Sequence, residues 1–304
     1  MPVCSGPALS APRTHIGLIG LGLVGTAVAR RLLAAGFAVT GYDADPSRVS
    51  LLAPIGVVAA DSPLGVAACC ERVLLAVYDT AAVEQVTEGE GGLLAAAVPP
   101  RLIIDTSTGD PDRLEALGRR LAVRGIGFVE APLAGSSVQI AAGEATMILG
   151  GDVAALHDAD DLLRAIAAKR HIAGGPGMGA RAKLALNLVL GINRAALAEG
   201  LVFAEGLGLD GAAFLSLLRD SPAYSAAMDA KGEIMLEERF FPPQARLTQH
   251  RKDLALMLAE AQRLGQPIPL ASAHAALLDA AIAAGDGDLD NAAVLRQLRR
   301  MRRA

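Results

Sequence analysis

Between residue 15 and about residue 128, short apolar runs alternate with longer stretches of helical periodicity. The runs at 16–19, 38–42, 56–59, 73–77, 102–104 and 127–129 are aliphatic and nearly continuous, as strands buried on both faces must be. Between them, 24–35, 46–53, 63–70, 81–86 and 111–124 read as helices. Three of these open with an acceptor side chain followed by proline, at Asp45-Pro46, Ser62-Pro63 and Asp110-Pro111. That is the chemistry of an N-cap followed by the first helical position. Strand–helix alternation of this kind predicts a parallel α/β sheet. A strand at 146–149 and a helix at 153–168 extend the same layer.

After His171 the texture changes. Gly174, Gly175, Pro176, Gly177 and Gly179 form a cluster of helix and strand breakers. Beyond it the periodicity is almost entirely helical. Leu, Ala and Val recur at helical spacing over 180–206 with no proline, which predicts one helix of roughly 27 residues, about 40 Å long. A helix of that length reads as a spine joining two domains or two subunits. Further helices are expected at 211–219, 223–237, 248–264, 269–284 and 290–302.

Composition narrows the function classes. Of 304 residues, 52% are hydrophobic but only 3% aromatic, with no Trp, so the core must be aliphatic and stacking platforms for single-stranded nucleic acid are not expected. The net charge of −4 implies no polyanionic partner. Arg296, Arg299, Arg300, Arg302 and Arg303 read as cations at a helix C-terminus, with a nucleic-acid patch as the alternative. Three cysteines, Cys4, Cys69 and Cys70, suit a reducing cytoplasm. No apolar run free of charges and glycines reaches membrane-spanning length, so no membrane partner is expected. Residues 1–14 lack the apolar region of a signal peptide and read as a flexible tail. The five histidines are scattered, and no metal site is expected.

The strongest local motif is Gly20-Leu21-Gly22-Leu23-Val24-Gly25, which follows the first predicted strand and opens the first predicted helix. Gly20 permits the tight turn, Gly22 lets backbone approach a pyrophosphate, and Gly25 allows close helix–strand packing. The phosphates would then lie at the positive helix N-terminus, with Leu23 and Val24 in its first turn. A tight turn without ligand, or an adenosyl-cofactor methyltransferase on the same fold, is the alternative. Asp43 ends the second strand where an acidic ribose ligand belongs. It would repel a 2′-phosphate, which favours NAD over NADP; Arg48 is the one nearby cation.

With the later motifs included, the chain resembles the β-hydroxyacid dehydrogenase family, the group of 3-hydroxyisobutyrate dehydrogenase and tartronate semialdehyde reductase within the 6-phosphogluconate dehydrogenase superfamily. The matching blocks are 17–25, then Glu130-Ala131-Pro132-Leu133-Ala134-Gly135-Ser136, then 177–187, then Lys252-Asp253-Leu254-Ala255-Leu256, with Gly287-Asp288-Leu289-Asp290 near the C-terminus. The resemblance implies an α/β Rossmann domain (15–175) followed by an all-helical C-terminal domain (176–304) for substrate and dimerisation, joined by the long helix. It implies a dehydrogenase of a small 3-hydroxy carboxylic acid using NAD, with NADP possible, and a homodimer or homotetramer. Lys183 is implied as general acid/base, with Asn187 assisting. The two stand at i and i+4, so one helix face presents both. To work near neutrality Lys183 needs a lowered pKa, which burial or a cation such as Lys252 would supply. By the same resemblance Lys252, Val77, Tyr78 and Thr108 contact the cofactor, and Ala134, Gly135 and Ser136 form the substrate loop.

The departures bear on the substrate. Ala134 stands where the family's loop carries a hydroxyl for the substrate carboxylate; the backbone at Gly135 and Ser136, or the hydroxyls of Ser136 and Ser137, would have to replace it. Leu186 stands where a further Asn is common, and Tyr78 where Pro is usual. An imine reductase of the same fold is the first rival, mildly favoured by Ala134 and Leu186 and opposed by Lys183. A non-catalytic dinucleotide-binding protein is the second, also opposed by Lys183.

Overall fold

The computed structural model describes residues 15–303. The reading of 1–14 as a flexible tail, and Cys4 within it, lie outside these residues. The chain divides into two compact units, the first running through Lys183 and the second starting at Leu184.

The first unit is built on a nine-stranded sheet. Strands β1 (His15–Ile19), β2 (Ala38–Tyr42), β3 (Val57–Ala59), β4 (Arg72–Leu75), β5 (Leu102–Asp105) and β6 (Gly127–Glu130) are all parallel, in the order β3-β2-β1-β4-β5-β6. This is the doubly wound order of a dinucleotide fold, and its topology reverses between β1 and β4. Helices α1 (Leu23–Ala34), α2 (Pro46–Leu52), α3 (Pro63–Ala67), α4 (Thr80–Glu88) and α5 (Pro111–Val123) connect the strands. The caps expected from the sequence are present: Asp45, Ser62 and Asp110 each accept a backbone N–H from the first turn that follows. Asp79 does the same for α4.

Every residue of β4 and β5 is buried, and alternate side chains enter different cores. Leu74, Leu102 and Ile104 join Ile16, Leu18, Val28 and Leu32. Val73, Leu75 and Ile103 join Ile19, Val66, Leu114 and Leu117. Both cores are aliphatic almost throughout, as the shortage of aromatic residues requires.

Three elements are absent from the sequence-based expectation. After β6 the chain makes a two-residue strand, β7 (Leu133–Ala134), and a short helix, α6 (Ser137–Ala142), before β8 (Thr146–Gly151). With no crossover helix in between, β8 returns antiparallel to β6 and β7, so the sheet is mixed where a purely parallel one was expected. Helix α7 (Val153–Ile166) then provides a crossover, and β9 (Lys169–Gly174) runs parallel to β8. Strand β9 begins Lys169-Arg170-His171 and is half-exposed along its length. Charge on an edge strand discourages further pairing, and it also hides the strand from a search for apolar runs.

Helix α8 (Met178–Gly206) begins in the first unit and supplies the spine of the second. By length and composition alone it could cross a membrane. Its Leu184, Leu197, Ala198, Leu201 and Val202 are instead buried in the core of the second unit. There they pack with residues of α9 (Gly211–Arg219), α10 (Ala226–Leu236), α11 (Leu247–Leu264), α12 (Pro269–Ala283) and α13 (Val294–Arg303). The basic end of α13 is held by acids: Arg299 pairs with Glu205 and Glu238, and Arg296 and Arg300 pair with Asp286. These ion pairs fit a structural role for the arginines better than the nucleic-acid patch.

Candidate functional site

The glycine loop follows β1 at the switch point. Gly20 has φ +90°, and a Cβ there would lie 2.4 Å from the Ala76 carbonyl oxygen. A Cβ on Gly25 would lie 1.8 Å from the Gly20 oxygen. Packing alone therefore demands both glycines. Gly22 differs: the nearest atom to a Cβ built there is Nη1 of Arg48, at 3.7 Å. No neighbour explains its bareness. It is the N-cap of α1, where no side chain caps the backbone and the first turn carries no acid. An uncapped helix N-terminus behind a bare backbone fits an anionic pyrophosphate. Leu23 and Val24, half-buried, form that first turn.

Asp43 is only 8% exposed, and its carboxylate braces this loop. Oδ2 accepts Leu21 N–H at 2.6 Å and Oδ1 accepts Asp45 N–H at 2.9 Å, with Arg48 Nη1 at 3.4 Å from Oδ2. A carboxylate has about four acceptor positions, so bracing and ribose binding are compatible. Val77 and Tyr78 follow β4, and Thr108 follows its neighbour β5. These loops are tied together: Val77 N–H donates to Ser107 Oγ at 3.1 Å, and Ser107 N–H to Asp105 Oδ1 at 2.9 Å. Val77 and Thr108 are half-buried and Tyr78 is exposed.

In the expected substrate loop, Ala134 is half-buried in β7 and Gly135 has φ +151°. Ser136 is more constrained than its sequence suggested. Its N–H donates to Gln139 Oε1 at 2.8 Å, and its Oγ accepts Gln139 N–H at 3.3 Å. This is a capping box for α6. To meet a substrate carboxylate with its own N–H, Ser136 would have to leave Gln139. The Ser-x-x-Gln spacing was the sequence signal for this box.

Lys183 is 6% exposed, and its Nζ donates to the Leu133 carbonyl at 2.7 Å. One turn earlier, α8 is capped by a residue far away in sequence. Glu130, at the end of β6 and 1% exposed, accepts the N–H of Gly177 on Oε1 and that of Ala180 on Oε2, the latter at 2.7 Å. Burial pushes the Glu130 carboxyl above its ordinary value, and the two N–H groups pull against that. The sequence reading quoted Glu130 only as part of a motif. The signal for its role was the helix itself, which starts after Gly-Gly-Pro-Gly with no local side-chain acceptor.

In the second unit, Asn187 Nδ2 donates to Asp253 Oδ2 at 3.1 Å, and Lys252 Nζ lies 3.0 Å from Asp253 Oδ1. Asp253, 7% exposed, thus links two residues singled out from the sequence, although its own role was not anticipated. Nearby, burial pushes the Arg194 guanidinium down to about 10, opposed by Asp290 and Asp253. Lys231 and Asp290 form a buried pair, with Nζ 2.9 Å from both oxygens. Burial lowers the Lys231 pKa against the pull of Asp290. Asp290 also accepts Gln244 N–H at 2.9 Å and Ala292 N–H at 3.0 Å. The C-terminal Gly-x-x-Asp element therefore fastens the loop before α11. Among the described residues, no group of three or more His, Cys, Asp or Glu could hold a metal ion.

Comparison with known proteins bears on this arrangement. Residues 15–175 match the model for the NAD binding domain of 6-phosphogluconate dehydrogenase. Residues 177–298 match the model for the NAD-binding of NADP-dependent 3-hydroxyisobutyrate dehydrogenase. L-threonate dehydrogenase of Cupriavidus necator is 34% identical over 93% of this chain and 95% of that protein. The 2-hydroxy-3-oxopropionate reductase of Escherichia coli is 29% identical over 94% and 97%. The crystal structure of 3-hydroxyisobutyrate dehydrogenase from Salmonella typhimurium superposes with a TM-score of 0.84 at 27% identity, over 93% of this chain and 99% of that one. With both halves matched by family models and a relative 34% identical over 95% of its length, the chain belongs to the β-hydroxyacid dehydrogenase family.

Proposed function

We propose that this protein catalyses reversible hydride transfer between a nicotinamide dinucleotide and C3 of a small 3-hydroxy acid, with Lys183 as general acid/base. The observation that carries the reading is Lys183 itself. The chain has only four lysines, and this one is buried, with its Nζ fixed on the Leu133 carbonyl. An arginine there could not move a proton, because it stays protonated. The names of the relatives, a threonate dehydrogenase and a 2-hydroxy-3-oxopropionate reductase, support a small hydroxy acid as substrate.

A bound nicotinamide supplies the hydride acceptor or donor. The rest belongs to the chain. During oxidation the amine of Lys183 takes the proton of the substrate hydroxyl as the C3–H bond gives up its hydride. During reduction its ammonium returns that proton to the carbonyl oxygen. Asn187 orients the substrate. Because its Nδ2 is turned to Asp253, its Oδ1 is left to accept from a hydroxyl. Lys252 and the 134–137 loop hold the acid, with Lys252 also contacting the cofactor. Gly20, Gly22, Leu23, Val24, Gly25, Asp43, Val77, Tyr78 and Thr108 form the remaining cofactor surface. Asp43 and Asp45, both paired with Arg48, favour NAD over NADP. Phe203, 67% exposed on α8, and Leu207, 63% exposed just after its end, support a homodimer or homotetramer, which sedimentation at micromolar concentration tests.

Activity is tested by following reduced nicotinamide with both cofactors over 3-hydroxyisobutyrate, threonate, 2-hydroxy-3-oxopropionate and 2-(hydroxymethyl)glutarate. Turnover of at least one, faster with NAD, is expected. Apolar Ala134 and Leu186 keep an imine reductase as the second reading. Tight cofactor binding with no hydroxy-acid turnover, but reduction of a cyclic imine, would replace the first reading with the second.

A further inference from the structure

Lys183 works only if its Nζ stays where the reacting oxygen will be, and α8 has no local side-chain cap for its first turn; locally only the Met178 N–H is met, by the Gly175 carbonyl at 3.1 Å. The residues before it, Gly174, Gly175, Pro176 and Gly177, carry no side-chain acceptor. The first N–H groups of any helix lack intrahelical partners. Here Glu130 meets two of them, on Gly177 and Ala180, one on each carboxylate oxygen. The fit is tight. A Cβ on Gly179 would lie 2.8 Å from the Glu130 Cβ, and a Cβ on Gly150 would lie 2.4 Å from Gly179 N and 3.1 Å from Glu130 Oε2.

The contact closes a small ring. Glu130 and Leu133 are three residues apart in one buried segment, fastened by Ala131 N–H to the Asp105 carbonyl at 2.7 Å and by Ile148 N–H to the Pro132 carbonyl at 3.0 Å. Ala180 and Lys183 are three residues apart on one helix turn. The Glu130 carboxylate joins the segment to Ala180, and the Leu133 carbonyl joins it to Lys183 Nζ. Opening the first link removes the buried polar tie between this segment and the first turn of α8, and leaves the Lys183 side chain as the other link of the ring. We propose that Glu130 is the positioning residue for Lys183, holding the first turn of α8 on the β6–β7 segment so that Nζ stays on the Leu133 carbonyl. This rests on the reading of Lys183 as the general acid/base. A carboxylate at this end of the helix is also favoured by the helix dipole. Arg181, tied to Glu115 at 3.0 Å and to Asp112 at 2.5 Å, is partly exposed and makes a weaker second anchor.

The test compares Glu130→Gln, Glu130→Asp and Lys183→Met with wild type in kcat, KM, cofactor Kd and the pH dependence of kcat/KM. Gln keeps the volume but turns one acceptor oxygen into an amide nitrogen that cannot accept an N–H. Asp keeps both acceptors one methylene short. Glu130→Gln is expected to lower kcat about 10- to 100-fold, to change cofactor Kd less than about twofold on the same reasoning, and to displace the ionisation limb that Lys183→Met abolishes. Glu130→Asp should fall between Gln and wild type. Loss of thermal stability with kcat and that limb unchanged would overturn the proposal and leave Glu130 a structural cap. Should the Gln protein fail to fold, the Asp protein decides on the same two readouts. Wild-type turnover by Lys183→Met would instead bring down the reading of Lys183. An inactive Lys183→Met beside a fully active Glu130→Gln would bring down only the role of Glu130.

Discussion

The two units hold their polar side chains in different ways. In the first, the partners are mainly backbone groups: Asp43 on Leu21 and Asp45 N–H, Glu130 on Gly177 and Ala180 N–H, Lys183 on the Leu133 carbonyl. In the second, side chains mostly hold one another: Asn187 and Lys252 on Asp253, Lys231 on Asp290. A backbone partner moves only if the chain moves, so the first unit presents a preset frame. A side-chain partner can be lost by one substitution, and a buried survivor is then left uncompensated. Substitutions in the first unit should therefore act on chemistry with modest loss of stability, and those in the second on stability itself.

The largest expected effect is on chemistry. Lys183→Met should lower kcat/KM by roughly 10²- to 10⁴-fold, with cofactor titration showing that the glycine loop still binds. In the second unit, Lys231→Met leaves the Asp290 carboxylate buried without its cation. It should cost about 3–5 kcal/mol in denaturant unfolding; a loss near zero would show that the backbone N–H groups on Asp290 suffice alone.

His274 sharpens the comparison through pH. It is 2% exposed, and neither ring nitrogen has a hydrogen-bond partner among the described residues. Burial, helped by Arg194, lowers its pKa to about 4. The folded state thus binds this proton less readily than the unfolded state. Its contribution to stability is complete above the ordinary value of 6.5 and is lost as pH falls toward about 4. The loss should be on the order of 2–3 kcal/mol. Unfolding of His274→Leu at pH 7 and pH 5 should show a visibly flatter pH dependence; an unchanged slope would assign it to other groups. The smallest effect belongs to Arg181→Ala. Its partners Glu115 and Asp112 are partly exposed, so less than about 1 kcal/mol should be lost. A larger loss would make Arg181 a main anchor of α8.

Legibility followed the same division of forces. Strands β1, β2, β4, β5 and β6 were readable because nearly all their residues are buried and mostly aliphatic, and β3, exposed at two of its three residues, by its apolar composition alone. Helices α2, α3 and α5 were readable because each starts with its own acceptor and a proline. Strands β7 and β9 were not: one has two residues, and the other opens with three basic residues on an exposed edge. Lys183, Asn187 and the glycines announce themselves by residue type and spacing. Glu130 and Asp253 do not, since Glu130 meets N–H groups at least 47 residues away in sequence and Asp253 joins its neighbour Lys252 to Asn187, 66 residues away. A carboxylate in a motif shows that an acceptor is present. Only the fold shows which donor it meets.

The most direct test of the account is the pH profile of kcat/KM for wild type beside Lys183→Met, with the best hydroxy acid of the panel and saturating cofactor. The account predicts an ionisation limb in the wild type that is missing from the much slower variant, while both proteins bind the dinucleotide equally. The same limb in Lys183→Met, at comparable rate, would contradict it and move the proton transfer to another group.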